Sequence, residues 1–308
     1  MAAIEARGLT KSFGGRPACR DVSFSVERGE VFGLLGPNGA GKTTTLRMLA
    51  GLYAPDAGSA QVAGYEIAPG RPGGPELRAR VGLLTEQPGF YDRLTARENL
   101  DYFGRLQGAR EGRVAPLLER FALSSHADRP FAELSRGMKQ KLAIARALLH
   151  EPEVIFLDEP TVGLDPEATR EVRSVIAELA REHATIVLCT HHLDEVERLC
   201  SRAAFIAGRM LAVHEVKRQE ILRIDLASPF SADGRSAEQA ASNVRALCKS
   251  VRVEGSTLFL EPIAEVPEIV AALVKGGARV AAVMPHRDPL EDAWLQLLAV
   301  AREQGLTA

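Results

Sequence analysis

Apolar residues are distributed along the chain in two recurring patterns. Val31–Leu35, Val154–Leu157 and Thr185–Cys189 are short, nearly continuous apolar runs, the pattern of strands covered on both faces. Ile4–Leu9, Val22–Val26, Ala60–Ala63 and Val81–Leu84 also read as short strands. Between them, apolar residues recur at helical spacing over Thr44–Leu52, Arg97–Gln107, Arg113–Phe121, Ala168–Glu182 and Leu193–Cys200. Ser135–His150 is a further helix: Ser135 can cap it, and Met138, Leu142, Ala145 and Leu149 share a face. Ala204–Ala207 and Met210–Val213 form a hairpin about Gly208-Arg209. Strands alternating with helices predict an α/β fold with a mostly parallel sheet covered on both faces.

A boundary falls near Glu215–Glu220, which divides the chain into residues 1–214 and 215–308. Beyond it the order is strand (Ile221–Leu226), helix (Ala237–Cys248), strands (Val251–Glu254, Thr257–Glu261), helix (Ala264–Lys275) and strand (Arg279–Val283). This βαββαβ order is compatible with a small ferredoxin-like α+β domain. A last amphipathic helix, Pro289–Arg302, places Leu290, Trp294, Leu297 and Ala301 on one face.

Composition narrows the function classes. The 308 residues carry 38 basic and 40 acidic side chains, a net charge of -2, which argues against a strongly electrostatic nucleic-acid binder. The balance is even on both sides of the boundary, with 27 basic and 27 acidic residues through His214 and 11 and 13 after it. Cys19, Cys189, Cys200 and Cys248 form no CxxC pair, so no zinc ribbon is implied and a reducing compartment is expected. Met1–Gly15 has no apolar leader core. No apolar run approaches the roughly 20 residues of a spanning helix.

Three motifs carry chemistry. Gly36-Pro37-Asn38-Gly39-Ala40-Gly41-Lys42-Thr43 fits GxxxxGK[ST] and is followed by Thr44. The glycines let backbone N–H groups wrap phosphate oxygens ahead of a helix N-terminus, Lys42 reaches the β- and γ-phosphates, and Thr43 offers a hydroxyl to Mg²⁺. The loop follows a buried strand and opens a helix, the context this motif requires. The strand Val154–Leu157 ends in Asp158-Glu159; the first carboxylate can hold a metal's water shell and the second can polarise an attacking water. His191 follows the buried strand Thr185–Cys189, with His192 beside it.

With these motifs in order over residues 4–214, the chain resembles the ATPase subunits of ABC transporters. The resemblance implies a P-loop NTPase core with a helical subdomain at about 88–150. Leu134-Ser135-Arg136-Gly137-Met138 is similar to the family signature LSGGQ, departing at Arg136 and Met138, and Met at that place suits the exporter branch. By this likeness Ser135 and Gly137 serve the γ-phosphate of ATP on the other subunit. Glu159–Pro166 looks like the stretch from catalytic Glu to D-loop, with Asp165 coupling the two sites. His191 takes the place of the switch histidine and Phe13 that of the aromatic stacked on adenine. Counting back from Leu94–Leu100 puts Glu86 where the family has a magnesium-sensing Gln, with Gln87 in that role if the loop slips one residue. Asp288–Leu298 is similar to the tail of drug, lipid and polysaccharide exporter ATPases.

The expected function is ATP binding and hydrolysis driving a separate permease, most simply an exporter. Two chains would close head to tail over two ATP·Mg²⁺, with Lys42, Thr43, Asp158 and Glu86 from one chain and Ser135 and Gly137 from the other. Glu159 would activate water and His191 would hold the γ-phosphate end. The expected partners are a second ATPase chain, in a homodimer, and an integral membrane permease, with no nucleic acid. The expected location is cytoplasmic, on the inner face of the cell membrane. The rival readings are an importer ATPase, a non-transport ABC ATPase acting on ribosome or DNA, and a nucleotide-dependent sensor.

Overall fold

The computed structural model describes residues 2–85, 89–216, 221–231, 237–286 and 290–303. They fall into two compact units. The first runs to Val216 and takes up the chain again from Glu291; the second spans Lys217–Leu290.

The first unit holds two sheets. β1 (Ala2–Phe13) and β2 (Arg16–Glu27) form a hairpin whose two-residue turn, Gly14-Gly15, has φ of 55° and 78°. Glycine takes these left-handed values without steric cost. β4 (Ala57–Val62) and β5 (Tyr65–Ile67) complete an antiparallel sheet in the order β2-β1-β4-β5. This sheet departs from the single, mostly parallel one expected. Gly8, with φ 60°, accompanies a register shift between Ala6 and Leu9, which interrupts the alternation that would reveal β1 along its length.

The second sheet is the expected parallel one. It comprises β3 (Val31–Leu35), β6 (Val81–Leu84), β7 (Val154–Asp158), β8 (Thr185–Thr190), β9 (Arg202–Ile206) and β10 (Met210–Glu215), in the order β10-β9-β3-β8-β7-β6. All neighbours are parallel except the β9–β10 hairpin. β3, β7 and β8 are buried at every position, as continuous apolar strands require. One core joins the two sheets through Ile4, Val22 and Val26 on one side and Phe32, Leu34 and Val187 on the other, with Leu46 and Met48 of α1 (Lys42–Leu49) between them. Leu35 pairs with Thr190 and Asp158 with Cys189. The C-terminal ends of β3, β7 and β8 therefore lie side by side, the edge of an open parallel sheet at which ligands bind.

Helices fill the connections between these strands. After the short α2 (Pro75–Arg78) come α3 (Ala96–Gln107), α4 (Val114–Arg120) and α5 (Arg136–Ala147), within the range expected for a helical subdomain. Thr95 and Glu98 form a capping box on α3 and Gly108 closes it in the left-handed conformation. Arg146 lies over the rings of Phe90 and Phe103 at 5.0 and 4.7 Å. α6 (Pro166–Arg181) and α7 (Leu193–Leu199) follow β7 and β8.

In the second unit, β11 (Ile221–Ser231), α8 (Ala237–Ser242), β12 (Cys248–Glu254), β13 (Thr257–Pro262), α9 (Val266–Lys275) and β14 (Ala278–His286) build an antiparallel sheet of order β12-β13-β11-β14. Renumbered within the unit this is 2-3-1-4, the ferredoxin-like arrangement. The long helix expected at Ala237–Cys248 is instead α8 plus a 3₁₀ turn at Arg245–Leu247, because Cys248 must turn to pair with Pro262. The last helix, α10 (Leu290–Glu303), groups almost entirely with the first unit rather than the second. Trp294 accounts for this, since its ring stacks on Phe205 of β9 with centroids 5.3 Å apart.

Candidate functional site

The loop from Gly36 to Gly41 passes from the end of β3 to α1, and two of its glycines, Gly36 and Gly41, answer to specific contacts. A Cβ on Gly36 would lie 2.2 Å from the Ile206 carbonyl oxygen. Gly41 has φ 95°, and a Cβ there would meet the Ala18 carbonyl oxygen at 2.4 Å. Gly41 stands at the N-cap of α1 with no side-chain cap, so the helix presents backbone N–H groups, a ready anion site. Lys42 is folded into the loop: Nζ donates to the carbonyls of Gly36 at 2.7 Å and Pro37 at 3.2 Å.

Two carboxylates and a histidine meet this loop. The Thr43 hydroxyl donates to Asp158 Oδ1 at 3.1 Å. Asp158 is buried, and burial pushes its carboxyl above the ordinary range; Thr43 works against that shift, and the neighbouring Glu159 charge adds to it. Glu159 is left-handed at φ 49°, an uncommon conformation for a non-glycine residue, and its N–H donates to the Cys189 carbonyl at 2.9 Å. That bend brings Glu159 Oε1 within 3.2 Å of Lys42 Nζ and Oε2 within 2.9 Å of His191 Nδ1. Residues Pro37–Thr44, Glu159 and His191 line one cleft of about 380 Å³, which Ala18 and Val162 complete. The His192 ring stands beside that of His191, centroids 4.0 Å apart, and is not part of the cleft wall.

Ser135, Gly137, Asp165 and Phe13 do not line this cleft. Ser135 caps α5, its hydroxyl accepting from Met138 N–H at 3.2 Å. Gly137 is buried, and a Cβ there would come 2.7 Å from Ala168 Cβ, so close packing of α5 on α6 already requires glycine. Asp165 caps α6, accepting from Glu167 and Ala168 N–H at 3.0 and 2.9 Å. Arg136, one departure from the signature, lies against Gly163, where an added Cβ would meet its guanidinium at 2.2 Å. Phe13 ends β1, about half exposed, with its ring edge-on to Tyr53 at 5.5 Å. Glu86 and Gln87 lie outside the described residues.

A buried group next to this site belongs to none of the motifs read from the sequence. Glu195 of α7 is fully buried and holds Thr161 and Thr190. The available signal was a carboxylate beside Val196 and Leu199 on the apolar face of α7.

A family model described as ABC transporter matches residues 19–162. Nod factor export ATP-binding protein I of Burkholderia orbicola is 40% identical over 306 residues, covering 96% of this chain and 97% of that protein. ABC transporter ATP-binding protein NatA of Bacillus subtilis is 42% identical over 217 residues, 67% of this chain and 87% of that protein. A solved ATP-binding subunit of an ABC transporter shares 34% identity at a TM-score of 0.62, covering 70% of this chain and 90% of that one. A dimeric ATP-binding cassette in a post-hydrolysis state, bound to ADP and Pi, shares 25% identity at a TM-score of 0.62, covering 70% of this chain and 99% of that one. With relatives this similar over nearly its whole length and an α1 phosphate loop facing Glu159 and His191, the chain belongs to the ATP-binding, ATP-hydrolysing subunits of ABC transporters.

Proposed function

We propose that this chain powers an exporter, pairing with a second copy of itself over two ATP·Mg²⁺ and driving a separate integral membrane permease from the cytoplasmic face. The meeting of Lys42, Glu159 and His191 in one cleft carries the catalytic part of this reading. The exporter part is supported by relatives that match end to end and are named export ATP-binding proteins. Among the described residues no helix is long and apolar enough to cross a membrane, so the route across the bilayer is assigned to the permease.

The chemistry follows from the geometry. Backbone N–H groups at the start of α1 and the Lys42 ammonium bind the phosphates and stabilise charge that develops between them. Thr43 Oγ1 and Asp158 Oδ1, side by side, fit a small hard cation that takes its other ligands from phosphate and water. When bound, Mg²⁺ would neutralise charge on the β- and γ-phosphates. Glu159 accepts a proton from the attacking water, and His191 Nδ1 steadies the carboxylate that does so. Ser135 and Gly137 reach the phosphate of the second chain's nucleotide, so its hydrolysis removes a bridge and the pair opens.

A pull-down from detergent-solubilised native membranes, with tagged Glu159→Gln and ATP, tests the transport reading. Recovery of a polytopic membrane protein is expected. Recovery of only soluble partners, such as ribosomes or DNA-bound complexes, would overturn the permease assignment and leave the ATPase standing.

A further inference from the structure

Glu159 and His191 sit on separate loops, one following β7 and one following β8, and their relative placement has to be held by something other than the strands. We propose that Glu195 is a positioning residue that locks these two loops in register, an inference that rests on the catalytic roles proposed for Glu159 and His191.

Glu195 is fully buried on the inner face of α7. Its Oε1 accepts from the Thr161 hydroxyl and its Oε2 from the Thr190 hydroxyl at 2.7 Å. Thr161 lies two residues beyond Glu159, in the turn where Val162 N–H donates to the Glu159 carbonyl. Thr190 immediately precedes His191, and its oxygen also accepts the His192 N–H at 3.0 Å. One carboxylate thus grips the loop on each side of the 2.9 Å contact between Glu159 and His191. Arg173 of α6 supplies charge balance, 3.5 Å from Glu195 Oε1 and 2.8 Å from Asp194 Oδ2.

Stability alone does not call for this arrangement. A buried ionised group is costly to desolvate, and a well-packed apolar residue in its place is often neutral or stabilising. Beside Val196 and Leu199, an apolar side chain would fill the α7 face. A carboxylate there provides two acceptors in a fixed fork, which an apolar residue does not. Holding both loops matters because displacement of a reacting group by about 1 Å costs on the order of 100-fold in rate.

The test uses the purified full-length chain, with kcat and KM for Mg·ATP, nucleotide Kd and thermal melting measured together. Glu195→Gln keeps the shape but turns one acceptor into a donor. Thr161→Val removes one hydroxyl without touching the buried charge, and Thr161→Ser returns it, so the contact can be read even if Glu195→Gln does not fold. Expected is a kcat lowered about 10–100-fold in Glu195→Gln and Thr161→Val, with KM and Kd within about threefold. Thr161→Ser should recover kcat to within about threefold of the parent. The double variant should be no slower than the slower single one, because both break one clamp. Unchanged kcat, a loss of nucleotide binding that matches the loss of kcat, or no recovery with serine would each overturn the proposal. Glu159→Gln is the reference. Full turnover in Glu159→Gln overturns the catalytic assignment and the clamp with it. Lost turnover there, with normal kcat in Glu195→Gln and Thr161→Val, overturns the clamp alone.

Discussion

Asp158 is the metal-site side chain whose chemistry depends on its surroundings. Burial raises its carboxyl above the ordinary 3.8, so the folded chain keeps a proton there to higher pH than the unfolded chain does. Between 3.8 and the raised folded value the native state binds more protons, and stability falls as pH rises through that window. Cation binding needs the charged form. Mg²⁺-dependent ATP affinity is therefore expected to weaken on acidification at a pH clearly above 3.8, a dependence that Asp158→Asn should abolish along with Mg²⁺ dependence itself. Calorimetric titrations across acidic pH check this, and Mg²⁺ dependence surviving in Asp158→Asn would remove Asp158 from the metal site. Glu159→Gln keeps the shape of the side chain and loses the proton acceptor. It should retain ATP binding and lose about 10²–10⁴-fold in turnover, read by phosphate release. These residues were legible because each follows an apolar strand within a recognisable motif. Glu195 was not, since its partners Thr161 and Thr190 approach it only through the packing of α7.

At the level of elements, His150 ties the turn after α5 to the central sheet. Its Nε2 meets the Val81 carbonyl at 3.0 Å and its Nδ1 meets Gln107 Oε1 at 3.2 Å. Burial lowers its pKa below 6.5, against a smaller upward pull from the Val81 carbonyl. As pH falls below 6.5 the unfolded chain gains a proton that the native chain resists, so stability is lost as pH drops through that region. His150→Gln should flatten this part of the stability-against-pH curve in denaturant melts, and an unchanged slope would contradict it. The elements themselves were readable where one force dominates. β3, β7 and β8 are continuous apolar runs and fell where expected. α6 begins two residues before the expected Ala168, because Asp165 caps it and Pro166 suits the first helical position. β1 and β2 run longer than their alternation suggests, because the register shifts along the hairpin break the period of two. The antiparallel sheet they form is set by pairing with β4, which lies far along the chain, and no local pattern announces it.

Across the whole molecule, the return of α10 to the first unit is the feature the linear order conceals. Trp294 is the chain's single tryptophan, so its fluorescence reports this docking without an added probe. A blue-shifted emission is expected in the folded chain, and Trp294→Ala should cost the first unit about 3–5 kcal/mol by losing the stack on Phe205. A solvent-like emission spectrum would contradict the docking. The chain passes from the first unit to the second after Val216 and returns to the first at Glu291. A complete site requires two chains sharing their nucleotides, because Ser135 and Gly137 are not in the lining of the cleft that holds Lys42, Glu159 and His191. The decisive measurement is the solution mass of Glu159→Gln by light scattering with Mg·ATP, with Mg·ADP, and without nucleotide. Twice the chain mass with ATP alone, and a single-chain mass when Ser135→Arg is added, is the predicted result. A single-chain mass with ATP, or pairing untouched by Ser135→Arg, would contradict the shared site.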